Sequence, residues 1–180
     1  MRRLLLAVVL LLALPPVALR AEGGPTLVTV VGAIEQTNRG PFDAFEDALL
    51  GNFADPFERA YAFDAAALAA LPQGSLTLSY PNWDGASHVF TGPLLAGLLD
   101  AVGATGQSIS VMAVDGYLAE FTPAEIAAAG MVLATAMDGR PLAIGGHGPA
   151  WLVFPPGAVP RLPGPNDDGL VWAVILIGVK

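Results

Sequence analysis

Apolar and polar positions alternate with two different periods along this chain, and the period marks the elements. The run TLVTVV (Thr26 to Val31) is β-branched and apolar and is closed by Gly32, so it reads as a strand. SLTLSY (Ser75 to Tyr80), Ser108 to Val114, Met131 to Ala136, Trp151 to Phe154 and Leu170 to Val179 read the same way. Val89 to Gly92 is a shorter strand or a turn. Helical spacing appears in three short pieces. Asp64 caps DAAALAAL and Pro72 stops it, Pro93 to Val102 runs into Gly103, and Thr122 opens a helix at Pro123 with Glu125 at the capping-box position and Gly130 at its end. Phe42, Phe45, Leu49 and Leu50 also fall at helical spacing, which predicts a short helix followed by an aromatic-rich excursion to Phe63. Turns fall at Thr37 to Pro41, at Asp115-Gly116-Tyr117 and at Asp138-Gly139, and a Pro/Gly/Asp loop spans Pro155 to Gly169.

The helices are too few and too short for a doubly wound sheet. The pattern predicts an α+β fold, a mixed β-sheet with short helices.

The first residues follow another logic. Arg2 and Arg3 precede an apolar run from Leu4 to Leu14, Pro15-Pro16 break it, and Leu19-Arg20-Ala21 suits a signal peptidase. The run is short of the roughly 20 apolar residues a membrane span needs. The expectation is a signal peptide over 1–21, a domain over 22–180 and a periplasmic location. The chain has no cysteine, so packing rather than disulfides must hold an exported domain together. Removing the leader takes away three arginines and no acid, which moves the formal charge from −8 to −11. Nucleic acid is excluded as a partner, because phosphate neutralisation needs a basic surface.

Composition also narrows the chemistry. Gly145-Gly146-His147-Gly148 lacks the Lys-Ser/Thr of a nucleotide P-loop and opens a strand rather than a helix, so it is no phosphate cradle. His88 and His147 are the only histidines, too few and too far apart for a zinc centre, and no metal is expected. Ser87-His88 are adjacent in sequence, which does not place a hydroxyl against an imidazole, and no G-x-S-x-G elbow exists. What remains is a set of aromatic and polar residues at strand ends: Tyr80 and Trp83, Asp115 and Tyr117, Arg140 and His147, and Trp151. Loops on a rigid scaffold are where ligands are held. The set suits a flat heteroaromatic ligand, with indole or phenol faces to stack, a carboxylate to accept ring N–H groups, and Arg or His to bond a carbonyl. Simple coverage of the core is the competing account of the same residues.

Taken in order, Trp83-Asp84-Gly85, FTGPLLAGLLDAVGA (Phe90 to Ala104), VDGYLAEFT (Val114 to Thr122), VLATAMDGRPLAIGGHGPAWLVFPPG (Val132 to Gly157) and VWAVILIGVK (Val171 to Lys180) resemble the molybdopterin-binding oxidoreductase domain. The resemblance covers roughly Thr26 to Lys180 and implies the sulfite-oxidase-like fold. Catalytic members of that family ligate molybdenum through a cysteine placed after the strand that here reads SLTLSY; this chain has Ser79, Tyr80 and Pro81 there. A hydroxyl does not replace a soft thiolate. The resemblance therefore implies a pterin-type or molybdopterin-like ligand bound without catalysis by Tyr80, Trp83, Asp115, Tyr117, Arg140, His147 and Trp151, in a subunit working with an inner-membrane sensor protein. The alternatives are a molybdopterin-dependent oxidoreductase with a non-cysteine metal site, and an interaction module that docks through Phe42 to Phe63.

Overall fold

The computed structural model describes residues 23–80, 83–160, 162 and 169–180; the segment read as a signal peptide lies outside them. Its largest sheet has five strands in the order β2-β1-β11-β5-β6. β1 (Val28–Gly32) lies parallel to β11 (Val174–Val179), whereas β2 (Ala60–Phe63), β5 (Ile109–Ala113) and β6 (Leu118–Phe121) join antiparallel. A four-stranded antiparallel sheet runs β3-β4-β8-β9, built from Gln73–Leu78, His88–Pro93, Ala136–Met137 and Arg140–Pro141. A third, two-stranded sheet pairs β7 (Val132–Ala134) with β10 (Trp151–Val153). Mixed sheets with few short helices are the α+β arrangement that the apolar patterning predicts.

Period-two alternation places the core. Val28 and Val30 of β1, Val111 of β5 and Ile177 of β11 enter the main cluster, while Val31, Met112 and Leu176 point to the opposite face. That second face is also covered, because Leu50 and Phe57 from the segment between β1 and β2 pack on it. The main cluster continues through Phe90 and Trp151 to the smaller sheets, so the strands that carry the aromatic residues share one packed interior. β4 and β7 meet so closely that a Cβ on Gly92 would lie 2.2 Å from the Leu133 carbonyl oxygen, which only glycine permits.

Helix α1 (Ala65–Ala70) begins where Asp64 accepts the Ala67 N–H at 2.7 Å. Helix α3 (Pro123–Ala129) carries the complete Thr122/Glu125 capping box and ends at Gly130 with φ +57°. Helix α2 (Leu95–Ala101) has no side-chain cap, and its apolar face, Leu95, Leu98 and Leu99, holds it to the core.

The elements differ from the expectations in two respects. No α-helix forms over Phe42 to Leu50. Asp43 Oδ1 accepts the Phe45 and Glu46 N–H groups, and Asp47 binds Arg39 at 2.6 Å and the Asp43 N–H at 3.0 Å. These local bonds wind the chain into turns, with a 3-10 turn at Leu50–Asn52. β2 and β6 were also hidden by the sequence, since AYAF and LAEF lack a strand-like pattern and become strands by pairing with β1 and β5.

Candidate functional site

Five segments converge on a cleft of about 380 Å³ lined by Trp83, Asp84, His88, Phe90, Met137, His147, Trp151 and Trp172. That volume lies within the range of small-molecule sites. Phe90 is fully buried on β4 and forms the base. Trp151, first residue of β10, meets it edge-on with ring centroids 5.2 Å apart. Trp83 comes from the loop after β3 and packs 5.4 Å from Trp151 and 5.5 Å from Phe90. His147 lies almost parallel to Trp151, 4.2 Å away with 18° between the planes, and meets Trp172 edge-on at 5.6 Å. Trp172 precedes β11 and is held there because the Ala173 N–H donates to the His147 carbonyl at 2.9 Å.

The polar side is a single cluster. His88 Nδ1 lies 2.7 Å from Asp138 Oδ2, and His88 Nε2 lies 3.2 Å from Asp84 Oδ2. Asp138 and Gly139 both have positive φ, +51° and +73°, as a tight Asp-Gly hairpin turn between β8 and β9 requires. The second Asp138 oxygen accepts the Val89 N–H at 2.9 Å, so this carboxylate ties the hairpin to β4. Asp84 accepts the Ala86 N–H at 2.8 Å, an Asx turn that fixes its loop.

The charges follow from these bonds. The Asp138 carboxylate raises the His88 pKa above its ordinary value against the opposing effect of burial, with Asp84 adding to the rise. The Asp138 pKa is lowered, first by His88 and then by the Val89 N–H. The Asp84 pKa is lowered by the Ala86 N–H and then by His88. Burial lowers the His147 pKa, which favours its neutral form. With both nitrogens facing carboxylates, His88 is suited to being an imidazolium rather than a base. Among the described residues no lysine or arginine lines the cleft.

Of the seven residues singled out from sequence, the structure brings Trp83, His147 and Trp151 together in the cleft. Tyr80 lies behind Trp83, ring centroids 4.8 Å apart, and its buried hydroxyl donates to the Phe154 carbonyl at 2.7 Å. Arg140 is exposed on β9 outside the cleft lining. Asp115 and Tyr117 form the exposed β5–β6 turn, where Asp115 accepts the Tyr117 N–H, and Tyr117 borders a separate hollow with Leu162 and Gly169. Asp84, His88, Phe90, Met137, Asp138 and Trp172 were not among the seven. The signal for Asp84, Met137 and Asp138 lay in the Trp-Asp-Gly and Met-Asp-Gly runs, but the pairing of His88 with Asp138 spans 50 residues.

A larger hollow of about 530 Å³ lies beside Arg39, Asp43, Glu46 and Asp47. Its arginine is already paired with Asp47 and it has no aromatic wall, so it is the weaker candidate. Among the described residues no group of three or more His, Cys, Asp or Glu side chains is placed to hold a metal ion.

No family model matches this sequence, and no curated protein matches it. The structure is similar to that of the sulfane dehydrogenase SoxCD from Paracoccus pantotrophus, with a TM-score of 0.56 at 16% identity over 86% of this chain. The match covers 38% of the SoxCD chain, and at this identity the likeness is one of fold alone.

Proposed function

We propose that this protein is a periplasmic binder of a flat heteroaromatic ligand of the pterin type, non-catalytic and acting with a membrane signalling partner. The observation that carries the proposal is the cleft itself: Trp83, Trp151, Trp172 and Phe90 wall it beside the Asp84–His88–Asp138 cluster. Ring faces stack on indoles, and carboxylates accept from the amino and ring N–H groups such a ligand carries. Asp84, which lines the cleft, takes the accepting role that the sequence reading gives to Asp115, while Asp138 holds His88. The periplasmic site and the partner rest on the leader-like residues 1–21 and on the family resemblance.

The donor set does not fit a complete molybdenum–dithiolene cofactor. The chain has no cysteine to supply a thiolate. Among the described residues the cofactor's terminal phosphate would meet the Asp84 carboxylate and no lysine or arginine in the cleft. A pterin without phosphate avoids both conflicts.

The test is mass spectrometry of small molecules released from protein purified from periplasm, paired with tryptophan fluorescence during addition of oxidised and reduced pterins. A co-purifying pterin, or saturable quenching, is the expected result. Absence of both would overturn the proposal, and stoichiometric molybdenum in protein from a cofactor-competent host would favour an oxidoreductase.

A further inference from the structure

His147 covers the most buried indole of the cleft, yet little holds its ring there. Trp151 is 5% exposed, and its indole N–H is buried with no hydrogen-bond partner among the described residues. A buried donor left unpaired is costly, so packing rather than a hydrogen bond holds this indole in place. The residue stacked on it does not supply an acceptor. His147 itself is an exposed residue, and its ring nitrogens make no hydrogen bond to any described residue; the stack on Trp151 and the edge of Trp172 are its ring contacts.

The backbone beneath His147 is fixed. The Gly146 and Gly148 N–H groups both donate to the Ala143 carbonyl, and the His147 carbonyl accepts the Ala173 N–H. The imidazole can therefore leave Trp151 by rotation of its own side chain, with the loop unmoved. A neutral imidazole lying parallel to an indole is also a small copy of the ring-on-ring contact that a heteroaromatic ligand makes.

We infer that the Trp151 face beneath His147 is the ring-binding subsite of the cleft. His147 is its exchangeable cover, displaced by a planar heteroaromatic ring that stacks on the same indole face. This inference rests on the proposed binding function, and it reverses the simpler expectation that His147 is a ligand contact.

The experiment compares wild type, H147A and H147F with two probes, free imidazole and unsubstituted pterin, by tryptophan indole NMR and fluorescence. Alanine keeps the backbone bonds of residue 147, and phenylalanine keeps a ring over Trp151. Imidazole at millimolar concentration is expected to fill H147A and shift the Trp151 indole N–H resonance, and to leave wild type and H147F unchanged. Pterin is expected to bind H147A about 3- to 10-fold more tightly than wild type, since one stacking contact no longer competes. An unmoved Trp151 resonance when imidazole is added to H147A overturns the inference. So does weaker pterin binding by H147A. If imidazole fills H147A while pterin binds neither protein, the exchangeable cover stands and the pterin proposal falls.

Discussion

His88 and Asp138 are joined at 2.7 Å across 50 residues of sequence, and that one bond closes the polar side of the cleft. It links the start of β4 to the β8–β9 hairpin, while the second Asp138 oxygen holds the Val89 N–H. The pH dependence follows from the directions of the two shifts. The His88 pKa is raised from 6.5, so its contribution is complete below that value and is lost as pH rises through the folded pKa. The Asp138 pKa is lowered from 3.8, so its contribution is complete above that value and is lost as pH falls through the folded pKa. The Tm difference between wild type and H88N is therefore expected to be largest between about pH 4 and pH 6.5. It should shrink on either side. Thermal melts from pH 3 to pH 9 check this, and a difference independent of pH would show that His88 acts through packing alone.

Tyr80 separates stability from binding. Its hydroxyl donates to the Phe154 carbonyl at 2.7 Å within the core, and its ring backs Trp83 from outside the cleft lining. Y80F removes the donor and leaves the buried carbonyl short of a partner, at a cost of about 1–2 kcal/mol. Urea unfolding should show that loss. A pterin titration of the same variant, followed by tryptophan fluorescence, should give the wild-type Kd. A large change in Kd would place Tyr80 among the binding groups after all.

Local devices were legible in the sequence because their parts lie within one turn. Asp64 caps α1, and Thr122 with Glu125 caps α3, as the spacing alone predicts. Alternation located β1, β3, β5, β7, β10 and β11 for the same reason. The short helix expected from Phe42 does not form because Asp43 and Asp47 redirect a helical apolar spacing into turns, the second through Arg39. The cleft was half legible. Trp83, His147 and Trp151 sit at strand ends, but Trp172 joins them only when β11 is laid between β1 and β5. His88 looks inert beside Ser87, since its two carboxylate partners are four residues back and 50 residues ahead.

Glycine positions in the loop that carries His147 are expected to differ sharply. At Gly146 φ is not in the positive range, and an added Cβ would lie 3.5 Å from the Ala143 carbonyl oxygen, an ordinary contact. At Gly148 a Cβ would fall 2.4 Å from the Leu142 carbonyl oxygen and 2.8 Å from the Ala143 carbonyl carbon, both backbone atoms that cannot swing aside. G146A is expected to change stability by less than about 0.5 kcal/mol. G148A is expected to cost about 2 kcal/mol or more and to lift His147 from Trp151. Urea unfolding measures the first quantity, and the Trp151 indole resonance reports the second. Equal effects at the two positions would mean that the loop is slack rather than tightly seated.

Trp151 and Trp172 make the clearest contrast within the cleft, because they differ in burial and share a neighbour. Trp151 is 5% exposed and packs against Phe90, Trp83 and His147, so W151A opens a cavity and is expected to cost about 3–5 kcal/mol. Loss of binding in that variant would not separate a ligand contact from a damaged core. Trp172 is 49% exposed and touches His147 edge-on at 5.6 Å, leaving much of its indole facing solvent. W172A removes little buried surface, and its stability is expected to fall by less than about 1 kcal/mol. If the open indole stacks on a flat ligand, the same substitution should weaken pterin binding by about 3- to 10-fold, the worth of one aromatic pair. Parallel urea unfolding and pterin titrations of W172A measure both quantities. A fall in affinity without a matching fall in stability would place the ligand against Trp172, whereas unchanged affinity would confine any binding to the Trp83 and Trp151 side.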